Sequence, residues 1–296
     1  MKRLFLSVLV VTMAIVNVAA TKRALIIGIG DYPEVSGWAK INGDKDVPVV
    51  EDMLLCNGFG KHNIEELVNE QATREGIITA ISHLTTQTQS GDIVYVHFSG
   101  HGQQITDIDG DEEDGLDEAW IPYDARAVYQ ERIYEGENHI LDDELFVWFS
   151  DIKRKIGEQG NLIVVADACH SGDGSRGDND EGECIRGSFI SDLADASLIF
   201  VKKIMSGSKS EQRVQSIPQG DIDWVFISAC KDYQSNQEYK KAGSLTAAMA
   251  ALKTELTILT YDELRLRLKS WMSAHLPRTQ TPTMDKPSKT DKTTLW

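Results

Sequence analysis

The sequence predicts an α/β protein, a three-layer α/β/α sandwich on a mostly parallel central sheet. Short, nearly continuous apolar runs of strand length recur along the chain, stretches of helical period lie between them, and glycine-rich or polar turns separate the two. A strand covered on both faces reads as apolar throughout, and alternation with helices is what covers a parallel sheet on both sides.

Taken in order, Arg23 to Ile29 is the first such run and ends in Gly-Ile-Gly. Asp46 to Cys56 carries apolar residues at helical spacing and stops at Asn57-Gly58, a good helix end. Ile64 to Val68 reads as a second strand. Thr73 caps a helix to about Thr88, with Ile77, Ile78, Ile81 and Leu84 on one face. Asp92 to Phe98 is a third strand, Leu141 to Ile156 a helix, Asn161 to Ala166 a fourth strand and Trp224 to Ser228 a fifth. Thr246 to Leu252 and Tyr261 to His275 read as helices, and the polar tail around Pro282 has room for a last strand. Two stretches break the alternation: Gln103 to Asn138, acidic and glycine-rich, and Gly172 to Gly220, polar with scattered Arg and Lys. Both follow strand ends, where open α/β sheets place their ligand sites, so both read as functional or processed loops.

The formal net charge of −16 argues against nucleic-acid partners, because an acidic surface repels phosphates and attracts cationic substrates. Lys2-Arg3, the apolar run Leu4 to Val18 and the small residues Val18-Ala19-Ala20 form a signal-peptide pattern. The expected division is a signal peptide over 1–20 and one α/β domain over 21–296. That implies a secreted or periplasmic protein without a stable membrane span once the signal is removed; the competing reading is a retained anchor. Four cysteines, Cys56, Cys169, Cys184 and Cys230, are too few for a disulfide scaffold. Cys56 and Cys230 lie in apolar contexts and read as buried thiols.

The third strand runs into Ser99-Gly100-His101-Gly102 and the fourth into Asp167-Ala168-Cys169-His170-Ser171-Gly172. A His and a Cys thus leave the carboxyl ends of two buried strands among small residues. Adjacent parallel strands lie about 5 Å apart, so the two side chains can meet. A thiol becomes a nucleophile beside a base, and glycine amides can face a developing oxyanion. Spacing leaves three readings open: thiol catalysis, a structural His with a core thiol, and a zinc site that includes His170, although no CxxC or HxxxH completes a ligand set.

The ordered set S-G-H-G and D-A-C-H-S-G resembles the caspase-like cysteine peptidases, and among them the metacaspases. So do R-A-L-I-I-G-I at Arg23–Ile29, K-D-V at Lys45–Val47, the acidic run Asp109–Glu118 and L-D-D-E-L at Leu141–Leu145. The resemblance spans roughly Lys22 to Cys230. It departs from the animal caspase signature at Asp167 and His170, which points away from aspartate specificity.

The resemblance implies a caspase-like fold and assigns roles. Cys169 is the nucleophile, His101 the general acid–base, and the amides of Gly102 and Cys169 the oxyanion hole. Asp46, Ser99 and Asp167 match the family's primary specificity pocket. The chemistry agrees, because two carboxylates converging in a narrow pocket require a cation such as Arg or Lys. Asp46 also suits the first turn of a helix and Asp167 a strand-end turn. Calcium is implied at Asp117, Asp142 and Asp143, with Asp173 or Asp178 as a further ligand, and hard oxygen ligands suit that ion. The run from Asp107 is no EF-hand, since Glu112 stands where that loop needs Gly. No organic cofactor is expected, and the family implies a monomer. Arg176, Arg186, Lys202, Lys203, Lys209 and Arg213 lie in the expected linker, 172–220, where an Arg/Lys-directed enzyme would cut itself.

Three functions compete. The first is a cysteine endopeptidase acting after Arg or Lys, with protein or peptide substrates. The others are a silent caspase-like binding module and a related cysteine hydrolase of other specificity.

Overall fold

The computed structural model describes residues 20–106, 116–128, 130–168, 186, 188–189, 222–231, 234–287 and 294–296. All but the last residue of the expected signal segment, together with Cys169, His170, Asp173, Asp178, Cys184 and most of the expected linker, lie outside them. Among the described residues no helix is long and apolar enough to cross a membrane.

In chain order the elements are β1 (Lys22–Gly28), α1 (Gly43–Cys56), β2 (Ile64–Val68), α2 (Arg74–Gln87) and β3 (Ile93–Ser99). Next come β4 (Gly102–Thr106), β5 (Leu116–Trp120), β6 (Ile140–Leu141), α3 (Asp142–Ile156) and β7 (Asn161–Asp167). The rest are β8 (Ser188–Phe189), β9 (Val225–Ser228), β10 (Glu238–Tyr239), β11 (Ala242–Gly243), α4 (Ser244–Ala251), α5 (Tyr261–His275) and β12 (Thr283–Asp285). The main sheet has the order β12-β9-β7-β3-β1-β2, parallel except for β12, which runs antiparallel to β9.

Strict alternation of side chains fills both faces. Leu25, Ile27, Val94, Val96, Phe98, Leu162, Val164 and Ala166 join one core with α2 and α3. Ala24, Ile26, Tyr95, Ile163 and Val165 join the other with α1, α4 and α5. The apolar area removed from water on each face, at about 25 cal/mol per Å², is what holds the three layers together. Helix ends follow the side chains expected of them. Thr73 accepts from the Gly76 amide at 3.1 Å, and Thr260 and Glu263 cap α5 reciprocally.

Two expectations need correction. Gln103 to Asn138 is not simply a loop: β4, β5 and β6, joined by β8, form a second sheet in the order β6-β5-β4-β8. The strand signal of β4 was hidden because two consecutive polar side chains, Gln103 and Gln104, are buried there beside Ile105, so no apolar alternation marks it. Cys56 is exposed, because it is the last residue of α1 and faces away from the core, while Cys230 is buried.

Three buried imidazoles make the fold acid-sensitive. His97, His101 and His139 are each pushed down to about 4 by burial. Their partners suit the neutral ring. The Thr246 hydroxyl donates to Asp167, so it accepts from His97 Nε2 at 3.1 Å. Gln103 takes His139 Nε2 at 2.7 Å. As pH falls, the unfolded chain protonates these histidines near the ordinary 6.5, well before the folded one. The stability they contribute is therefore present above about 6.5 and is lost between there and about 4. Asp46 opposes them: burial pushes it up to about 6, so below that pH the folded state takes its proton first. Three imidazoles outweigh one carboxyl, so the urea midpoint should drop steadily from pH 7 to pH 4.5. A midpoint independent of pH in that window contradicts the assignment of neutral histidines.

Candidate active site

The sheet's parallel register assembles the site at its carboxyl edge. Gly28 pairs with Ser99 and Ser99 with Asp167. In the sequence, His101 and Cys169 each stand two residues after that last pair.

His101 is 2% exposed and held on every side. Its backbone amide donates to the Tyr32 hydroxyl at 3.1 Å, and Tyr32 in turn donates to the Ile121 carbonyl at 2.9 Å. Trp38 stacks on the imidazole with centroids 4.9 Å apart. Nε2 lies 2.8 Å from the Ala39 carbonyl oxygen, which can only accept, so Nε2 carries the proton. Among the described residues Nδ1 has no hydrogen-bond partner. Burial lowers the pKa to about 4 and keeps the ring neutral. The outcome is an oriented imidazole with a free basic nitrogen. Gly102 follows and opens β4 opposite Trp120.

Asp46, Ser99 and Asp167 converge, and the Arg186 side chain lies among them, fully buried. Arg186 Nη1 donates to Asp46 Oδ2 at 3.0 Å, to Ser99 Oγ at 2.5 Å and to the Asp167 main-chain oxygen at 3.1 Å. Ser99 Oγ also donates to Asp46. Asp46 sits in the first turn of α1, as the helix-end alternative has it, but its carboxylate points inward and accepts from the Gly243 amide at 2.9 Å.

Asp167 acts mainly through other contacts. Its Oδ2 accepts from the Thr246 amide and hydroxyl, each at 2.7 Å, at the N-terminus of α4. Oδ1 accepts from Asn236 at 2.8 Å and stands 3.8 Å from Arg186 Nη1. Asp167 thus locks α4 and Asn236 onto the sheet edge, while its carbonyl touches the guanidinium.

Two participants carried no sequence signal. Glu238 Oε1 lies 3.1 Å from Arg186 Nε and 3.0 Å from Nη2. Asn236 accepts from the Arg186 backbone amide at 3.3 Å. Neither belongs to a motif, and each reaches the site only because the loop after β9 folds back over the sheet edge.

The acids expected at calcium are partly visible. Asp142 and Asp143 open α3 beside Glu144, which pairs with Arg74. The antiparallel pairing of Ala119 with Leu141 brings the Asp117 end of β5 to that same turn. Among the described residues no compact metal-ligand group is formed.

A six-stranded α/β/α sandwich with an oriented His at one strand tip and an acid-lined recess beside it is a caspase-like fold. Protein GSU0716 from Geobacter sulfurreducens shares that fold, with a TM-score of 0.65 at 23% identity over 91% of this chain and 95% of that one. The metacaspase peptidase C14 domain matches residues 22–175, and the chain belongs to the metacaspase family. Members of that family are cysteine-type peptidases. Metacaspase-1 of Candida albicans is 30% identical over 273 residues, covering 79% of this chain and 57% of the relative. Metacaspase-1A of Aspergillus niger is 29% identical over 261 residues, covering 77% and 60%. The chain spans well under two thirds of the length of these relatives.

Proposed function

We propose that this chain is a cysteine endopeptidase that cuts after Arg or Lys and treats its own Arg186 as such a residue. The observation that carries this reading is the seat of Arg186, a buried guanidinium held by Asp46, Ser99 and the Asp167 carbonyl. The second sheet supports it. β8 begins two residues after Arg186 and runs parallel to β4, with Ser188 opposite Gln103. β4, which β8 joins, begins one residue after His101, and this supports reading the bond after Arg186 as the one cut.

In the reaction, Cys169 Sγ attacks the carbonyl carbon of the Arg or Lys residue while His101 Nδ1 takes the thiol proton. The amides of Gly102 and Cys169 hold the oxyanion. The C–N bond breaks, and His101 returns the proton to the leaving amine. Water then hydrolyses the thioester, releasing a carboxylate and restoring the thiol. Calcium at Asp117, Asp142 and Asp143 would neutralise the acids where β5 meets α3 and steady the second sheet beside His101. The protein acts as a secreted or periplasmic monomer.

The complete burial of Arg186 favours a second reading, a silent module locked shut by a structural cation. Intact-mass spectrometry of wild type and Cys169→Ala, with calcium and with chelator, separates the two. The expected result is a cut between Arg186 and Gly187 in calcium-treated wild type and none in Cys169→Ala. Identical intact masses throughout favour the silent module.

A further inference from the structure

We propose that Glu238 makes the pocket prefer arginine to lysine. The inference rests on the Arg/Lys reading above and deepens it, with Arg186 standing for the side chain of any substrate residue before the cut bond.

The guanidinium is gripped at two ends. Asp46, Ser99 and the Asp167 carbonyl all take the same nitrogen, Nη1. Glu238 takes the opposite edge, with Oε1 at 3.1 Å from Nε and 3.0 Å from Nη2. Only a planar fork offers donors to both ends at once. A lysine ammonium is a single point charge, so once it reaches Asp46 and Ser99 it leaves Glu238 without a donor from the substrate.

Glu238 is also held by contacts that do not involve the guanidinium. The Asn42 backbone amide donates to Oε1 at 2.7 Å, and the Asn42 side chain donates to Oε2. The carboxylate-bearing side chain is only 6% exposed, so it meets the guanidinium out of bulk water, where such contacts discriminate most.

The backbone that delivers Glu238 is unusual. β10 and β11 form a hairpin whose turn residues are Lys240, at φ 49°, and Lys241, at φ 66°. Both occupy the left-handed region, which Gly, Asn or Asp normally fill in a two-residue hairpin. Non-glycine residues held there are strained, and such strain gathers at functional sites. The tight turn sets Glu238 opposite Gly243, whose amide binds Asp46. A β-carbon on Gly243 would come within 2.1 Å of Asp167 Oδ2 and 2.7 Å of Arg186 Nη1. One hairpin therefore supplies both the arginine-specific edge and the close wall of the pocket.

The test compares two peptides that differ only in Arg or Lys before the cut bond, on calcium-treated wild type, Glu238→Ala and Glu238→Asp. Glu238→Asp keeps the charge but withdraws it from Nε. In both variants kcat/KM for the Arg peptide should fall about ten- to a hundredfold, the worth of a charge-assisted hydrogen bond. Cleavage of the Lys peptide should fall much less, so the Arg/Lys ratio drops, and its persistence shows that the fold and the chemistry survive. A parallel fall for both peptides, or an unchanged Arg/Lys ratio, overturns the role of Glu238 while leaving the peptidase reading intact. A wild type inert toward both peptides sinks the peptidase reading and this inference together.

Discussion

Replacing His101 with Ala should lower kcat/KM for an arginyl peptide by about 10²–10⁴-fold, the usual contribution of a positioned acid–base group. Cys169→Ala should fall to background, because the proposed covalent route runs through its thiol. The His101 ring is itself oriented for the proposed role, whatever motif it sits in. The Ala39 carbonyl fixes the tautomer at Nε2, Trp38 and Tyr32 fix the plane, and Nδ1 is left with its lone pair. Burial holds the ring neutral, so it can accept the thiol proton, and it also makes the imidazolium a willing donor to the leaving amine. A His101→Gln variant can still meet Ala39 through its side-chain amide but has no titratable nitrogen, and it should be as inactive as Ala. If His101→Gln retained near wild-type kcat, the imidazole would serve only to fill space between Trp38 and Tyr32.

Arg186→Ala should destabilise the uncut chain by about 3–5 kcal/mol, the cost of stranding buried charges when one partner of a pair is removed. For a chain of this size that corresponds to a fall in Tm on the order of 10 °C. Asp46, Asp167 and Glu238 all face one guanidinium. Without it, like charges converge in a dry recess. Arg186 is also the chief influence drawing Asp46 back toward ionisation against its burial. Millimolar N-acetylarginine amide should restore much of the lost Tm in Arg186→Ala and leave Cys169→Ala, whose recess is still filled, unmoved. A structural cation packed permanently into the core would show the loss without the rescue. No loss of Tm at all would mean that water enters the recess freely.

Part of this site was legible in the sequence because it lies on strand tips. Buried parallel strands announce themselves by composition, and the residues just past their carboxyl ends are the ones a sheet delivers to a site. His101 was found this way, while Ser99 and Asp167 were assigned to the recess through the family resemblance. Asp46 too was legible only with the family pattern beside it, since a first-turn acid looks the same whether it faces solvent or the interior. The roles of the two aspartates within the recess were not legible: Asp46 makes the direct ion pair, whereas Asp167 is saturated by α4 and Asn236.

The sequence by itself determined the layers, the strand order's raw material and the chemistry available at two strand tips, because hydrophobic period and local turn residues are short-range properties. It did not determine which cation meets which acids. Arg186 stands 140 residues from Asp46 and 52 from Glu238, and six basic residues of the expected linker looked alike. Only the folded chain chose among them, because a buried charge is tolerable where opposite charges and hydrogen bonds converge from distant segments, and that convergence is a property of the tertiary arrangement alone.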